Sequence, residues 1–278
     1  MLPDGEPARA VTPACACDPA RFAWACTQAL ASRDGGIGTL GEKSVHAALK
    51  YYFAPDPATH ERPIGRAVAD IASPNFVIEI QSRQFYRLQS KLAAFLPEYP
   101  VTVVYPVIRR KRIRWFSPDT GELLETGAFR AFRKDVLLLA ELYGIRAFLP
   151  HPNLRVCIAA LEAEDLRLRD GFGAQKRIHA TKMDRIPTQL LALRFFCRPA
   201  DYAVFLPDAL PDPFDSAAFA AAHRIPRDAA HKALRVLEEL GLLTVQRSGR
   251  NNQYYRNTSI EKKGQIPHGT SDSDPLPR

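Results

Sequence analysis

The sequence predicts an α/β protein in which a mixed central sheet is flanked by helices, followed by a small unit of two helices and a β-hairpin. Three observations carry that expectation. Strand-like runs at residues 64–72, 76–81 and 101–108 are interleaved with helical patterns at 42–53 and 82–96, the alternation expected of an α/β sheet. A polar, glycine-containing stretch at 162–185 then interrupts the apolar pattern. From about residue 187 the order becomes helix, turn, longer helix and two short strands. The chain has 278 residues, 46% apolar and 24% charged, the balance of a globular protein with a real core.

Taken in order, residues 1–36 are rich in Ala, Pro and Gly without a clear period, and read as a mobile leader with one short helix around 22–30. Residues 42–53 read as a helix with Val45, Leu49 and Tyr52 on one side. A proline-rich loop at 54–59 leads to two strands, 64–72 and 76–81, separated by Ser73-Pro74-Asn75. A helix at 82–96 ends before Pro97, and the β-branched run 101–108 reads as a buried strand. A turn at 118–121, a helix at 129–143 and a last strand at 154–161 complete this part. The expected units are a leader at 1–36, an α/β domain at 37–161, a basic linker at 162–185, a second domain at 186–257 and a disordered tail at 258–278.

The formal net charge is +8, which favours an anionic partner, nucleic acid foremost. No apolar run is long enough to span a membrane, and residues 1–14 lack the charged start and apolar stretch of a signal peptide. A cytoplasmic protein without a membrane partner is therefore expected. The odd number of cysteines, Cys15, Cys17, Cys26, Cys157 and Cys197, suits a reducing compartment. A metal site at the first three would want a fourth ligand, and the nearest histidine, His46, falls on the 42–53 helix.

The chemistry concentrates in the two adjacent strands. A tight turn centred on Pro74-Asn75 sets Asp70 opposite Glu79, with Gln81 on the face of Glu79. Opposed carboxylates repel, and a divalent cation between them removes that cost while polarising a phosphodiester. The alternative is the solvent face of an amphipathic hairpin. Glu42, His46 and Lys50 recur every four residues, lining one helix face with an acid, a proton carrier and a cation.

The pattern Glu42…His46…Lys50, then Glu61…Arg66…Asp70-Ile71, then Val77-Ile78-Glu79-Ile80-Gln81-Ser82 resembles the PD-(D/E)XK nuclease superfamily, and within it the nuclease segment of CoiA-type competence proteins. The resemblance spans residues 40–108. It implies a restriction-endonuclease-like fold and Mg²⁺- or Mn²⁺-dependent phosphodiester hydrolysis. Asp70 and Glu79 would be metal ligands, Glu42 an added ligand or orienting group, and Gln81 would stand where most members carry lysine. Glutamine orients by hydrogen bonding but brings no charge; Lys91, on the following helix, is a second source of it.

Arg109, Arg110, Lys111, Arg112 and Arg114 form a basic run suited to phosphate backbone, the alternative being a charge-protected hairpin edge. In the second unit Asp215 caps a short helix, Pro226 opens a longer one, and Gly241 ends it. The order resembles the winged helix-turn-helix family. That resemblance puts Arg227, His231, Lys232 and Arg235 toward a DNA groove and Arg247 and Arg250 of the wing on phosphates. The sequence thus points to a DNA endonuclease targeted by a winged helix, or to a DNA-binding regulator with an inactive nuclease-like core.

Overall fold

The computed structural model describes residues 17–32, 43–132, 135–171, 180–247 and 252–257. Helix α1 (Pro19–Ala31) starts on proline, and the Asp18 carboxylate caps it by accepting from the Arg21 N–H at 3.0 Å. It buries Phe22, Ala25 and Ala29 beside helix α2 (Lys43–Phe53), whose Val45, Leu49 and Tyr52 are buried as their spacing predicts. The described part of the expected leader is therefore a docked helix. Its apolar stripe is made largely of alanine, so it does not stand out from an alanine-rich surround.

Strand β1 (His60–Ile64) turns at Gly65, whose φ is +59°, into β2 (Ala67–Ser73). The single strand expected at 64–72 is thus two, because glycine supplies the left-handed residue a tight turn needs. Strand β3 (Phe76–Ile80) pairs antiparallel with β2 in the register centred on Pro74-Asn75: Ser73 with Phe76, Ala72 with Val77, Ile71 with Ile78. The helix expected at 82–96 is a 3-10 turn over Phe85–Leu88 followed by α3 (Gln89–Phe95). Its start is delayed by Gln84, held at φ +59° while its N–H donates to Glu141.

Strand β4 (Val101–Phe116) runs parallel to β3 and continues well past residue 108, carrying β5 (Leu123–Thr126) and β6 (Arg130–Ala131) on its outer half. The helix expected at 129–143 is confined to α4 (Leu137–Leu142) and a 3-10 turn. Strands β7 (Leu154–Leu168) and β8 (Thr181–Phe196) then form a long antiparallel pair beside β4. The order is β1-β2-β3-β4-β7-β8, mixed, with β3, β4 and β7 parallel. The linker expected at 162–185 is sheet wherever it is described, apart from the ends of the intervening loop. It is polar because Glu162, Glu164 and Asp165 on β7 pair with cations of β4.

Helices α1 and α2 cover one face, over Ile71, Ile78, Ile80, Val104 and Leu161. Helices α3 and α4 cover the other, over Val77, Val103, Val156 and Ile158. Beyond β8 come α5 (Ser216–His223), α6 (Arg227–Glu239) and the paired strands β9 (Leu243–Gln246) and β10 (Gln253–Arg256). Asp215 caps α5, Arg224 makes the turn at φ +52°, and Gly241 ends α6 at φ +76°. Ala230, Ala233, Leu234 and Leu237 of α6 join Leu138, Leu139 and Leu142 of α4 in one continuous buried cluster. No helix among the described residues is long and apolar enough to cross a membrane.

Because that cluster is shared, Leu237→Ala should lower the stability of the whole chain by about 2–5 kcal/mol. The protein should still unfold in one cooperative urea transition. Two separated transitions, only the first shifted, would show that the C-terminal unit folds independently.

Candidate active site

The β2–β3 ladder stops at Ile71 and Ile78, and the next pair outward is Asp70 with Glu79. The Ile80 N–H, which a continued ladder would spend on the β2 backbone, donates instead to Asp70 Oδ2 at 2.7 Å. The Asp70 N–H reaches Glu79 Oε1 at 3.4 Å. The two carboxylates therefore meet where the hairpin splays, as the turn register predicts.

Each has a cationic or polar partner from a different layer. His46 on α2 lies with Nε2 3.1 Å from Asp70 Oδ2. Lys91 on α3 donates from Nζ to Glu79 Oε2 at 2.7 Å. These groups line a cleft of about 520 Å³ together with Gln81, Arg83, Arg87 and Arg185. The Gln81 amide donates to the Arg83 carbonyl at 2.5 Å. Lys50 turns away to Glu61 at 2.8 Å, so of the described residues of that stripe His46 alone is brought to the pair. Glu42 lies outside the described residues.

Burial and the Asp70 charge push the Glu79 carboxyl up to about 7, against the opposing pull of Lys91. Burial also raises Asp70, but the His46 contact and the Ile80 N–H outweigh it and hold that carboxyl below its ordinary value. One member of the pair is thus held as the carboxylate and the other stays close to protonation at neutral pH.

Lys91 is the residue the strands themselves lacked. It follows Glu79 by twelve positions on a helix whose Leu92 and Phe95 face the core, and only that amphipathic phase signals its direction. Arg185, placed in a linker by its polar surroundings, enters the cleft from β8. Its guanidinium is fixed on fully buried Asp165, with Nε at 2.6 Å and Nη2 at 3.1 Å. Asp165 also accepts from Lys111 at 2.8 Å; burial raises its carboxyl, yet these cations bring it down to about 2.

The remaining basic run is not a free loop. Arg109 pairs with Asp135, Arg110 with Glu162 at 3.0 Å, Arg112 with Glu164, and Arg114 with Glu164 at 3.2 Å. Arg110 and Arg112 also lie over the Phe129 ring. The run expected to contact phosphates is thus ion-paired, its five cations sharing Asp135 and the β7 acids Glu162, Glu164 and Asp165. On α6, Arg227 and Lys232 are exposed and pair with no carboxylate among the described residues. His231 meets Ser216 Oγ at 2.9 Å, and Arg235 and Arg247 both bind Glu238 at 2.8 Å. Arg250, Lys176, Arg177 and Cys15 lie outside the described residues, while Cys17 and Cys26 are free thiols.

Among the described residues no group of three or more His, Cys, Asp or Glu side chains is disposed to hold a metal ion. The pair Asp70 and Glu79 nevertheless suits a hard divalent cation chemically: two carboxylate oxygens donors meet in a polar cleft, with room for water and phosphate oxygens.

A family model with the description "Domain of unknown function (DUF8091)" matches residues 43–196, from α2 to the end of β8, and so contains the whole cleft. A protein of Treponema pallidum (strain Nichols), described as "Uncharacterized protein", is 28% identical over 185 residues, covering 64% of this chain and 71% of that one. No solved structure matches the chain.

The raised carboxyl has a consequence for stability. Between the unfolded value of 4.5 and about 7 the folded protein keeps a proton on Glu79 that the unfolded chain has released. Its contribution to stability therefore falls as pH rises through that window. In chelator, the urea midpoint should drop from pH 5.5 to pH 8, and Glu79→Gln should flatten the drop. An unchanged slope in the variant would assign the pH dependence to another group.

Proposed function

The chain belongs to the family described as Domain of unknown function (DUF8091), and we propose that it is a divalent-metal-dependent deoxyribonuclease. The observation that carries this reading is the convergence of Asp70, Glu79 and Lys91 at the open end of the β2–β3 hairpin. Asp70 and Glu79 would hold Mg²⁺ or Mn²⁺. That ion, when bound, supplies Lewis acidity toward the phosphodiester and an acidified water. Lys91 brings to the cleft the positive charge that Gln81 lacks, where charge develops on the phosphate. His46 orients Asp70 and keeps it ionised. The order α2, hairpin β2–β3, crossover α3, parallel β4 supports the restriction-endonuclease-like reading of the fold.

The unit α5–turn–α6–hairpin supports the winged-helix reading, with Arg227 and Lys232 directed to duplex DNA and the protein cytoplasmic. A second reading, a DNA-binding regulator with an inactive core, is favoured by one observation: the Gln81 amide is engaged with the Arg83 carbonyl rather than held open to the cleft.

Supercoiled plasmid should be nicked in Mg²⁺ or Mn²⁺ and left intact in chelator. Asp70→Asn and Glu79→Gln should abolish nicking in folded protein, and Lys91→Met should lower it about 10²-fold or more. Cleavage that survives the carboxylate substitutions would place the activity elsewhere; duplex binding without cleavage would favour the regulator.

For the duplex contact, Arg227→Ala and Lys232→Ala in the full chain should each weaken binding and reduce the salt slope by about one unit. A folded double variant that binds duplex as the parent does would remove α6 from the DNA interface.

A further inference from the structure

We propose that the cleft takes a single, unpaired DNA strand, gripped by the rim segment 83–87. This rests on the reading of the cleft as a phosphodiester site and deepens it by naming the form of the substrate.

The first argument is access. The Glu79 side chain is 2% exposed and that of Asp70 20%, so the carboxylates lie in a recess rather than on a ridge. Duplex DNA is stiff, with a persistence length of about 150 base pairs, and presents its phosphates on a convex surface. An unpaired strand has free backbone torsions and can enter a recess one nucleotide at a time. The cleft volume of about 520 Å³ is in the range that encloses one small ligand, as a nucleotide is.

The second argument is the chemistry of the rim. Where the cations of β4 are matched to carboxylates, Arg83 and Arg87 are exposed, line the cleft, and pair with no carboxylate among the described residues. Between them Tyr86 is 54% exposed, a large ring left in solvent on the same short segment. Cations that track a backbone beside an aromatic on which a base can stack are what a sequence-tolerant single-strand site requires. Arg185, already fixed on Asp165, offers a cation within the same cleft.

The third argument is rigidity. Glu141 accepts from the Gln84 N–H at 2.7 Å and the Phe85 N–H at 3.5 Å. Gly144 lets the neighbouring chain lie against Tyr86: a Cβ there would fall 2.7 Å from the Tyr86 nitrogen. The rim is thus braced from behind while its Arg and Tyr side chains remain exposed, so its backbone needs little ordering on binding.

The test is fluorescence anisotropy of the full chain in chelator, with a short labelled oligothymidylate and, separately, a blunt duplex. Arg83→Gln with Arg87→Gln should weaken single-strand affinity about tenfold or more and flatten its salt slope by about 0.7 per lost phosphate contact. Tyr86→Ala should weaken it about fivefold or more. Duplex affinity should stay at the parent value in both variants. All three residues are exposed, and an unchanged circular-dichroism melt confirms the fold. Single-strand affinity that does not change, or a duplex loss of the same size, overturns the proposal. Because metal is chelated throughout, an inactive protein leaves the binding result standing. A protein that nicks plasmid but shows no effect of the rim substitutions overturns this inference alone.

Discussion

The register of the β2–β3 hairpin determines where the acidic groups of the cleft fall. With the turn centred on Pro74-Asn75, Ile71 and Ile78 are directed to the α1–α2 layer and Val77 to the α3–α4 layer. A slip of one residue would exchange the faces, turning Glu79 away from Lys91 into the isoleucine layer under α1 and α2, and Ile78 into the layer under α3 and α4. The apolar cost of that exchange fixes the register, and the register in turn fixes the encounter of Asp70 with Glu79. The site is thus a by-product of core packing in its position, and a departure from it in its chemistry. The ladder ends one pair early so that the Asp70 carboxylate, rather than a backbone carbonyl, accepts from Ile80.

A second use of charge runs along β4, β7 and β8. Parallel strands are normally buried on both faces and read as apolar runs. Here the outer halves of β4 and β7 carry cations against acids in register, and Asp165 at the centre is fully buried. A buried acid of this kind tolerates its desolvation only while its partners stay in place. Lys111 and Arg185 both meet that need, and Arg185 is by the same contacts fixed at the cleft wall. The positive charge of the chain is therefore unevenly spent. Much of it is neutralised inside the sheet, and the rim segment 83–87 and α6 carry cations without a carboxylate partner among the described residues.

The sequence made legible what short-range rules govern. The α2 stripe, the hairpin register, the caps and stops of α5 and α6, and the pairing of Asp70 with Glu79 follow from spacing and turn chemistry. Contacts made by partners distant in the chain were not legible. The segment 162–185 is polar, so it reads as a linker, although its polarity is the complement of a strand fifty residues earlier. Lys91 reads as a surface lysine until α3 is laid across the end of β3. A helix around 22–30 is expected from the sequence, but its docking is hidden by composition, since alanine marks a buried stripe only when Phe22 is seen to dock beside Tyr52.

The partners of the carboxylate pair come from opposite layers: His46 from α2 on one face of the sheet and Lys91 from α3 on the other. Neither layer alone neutralises the pair. Before both helices are docked, Asp70 and Glu79 repel in a partly desolvated corner; after docking, each has its own counter-group. Assembly of the cleft is therefore contingent on the completed three-layer fold, with α3 tied in turn through the shared apolar cluster to α4 and α6. That coupling gives a physical reason for the small C-terminal unit to share a core with the sheet. Were the unit to bind DNA as proposed, a loose tether would hold that DNA at a variable distance from the cleft. A unit built on α4, which itself braces the rim through Glu141, holds α6 and the rim segment 83–87 in one rigid frame.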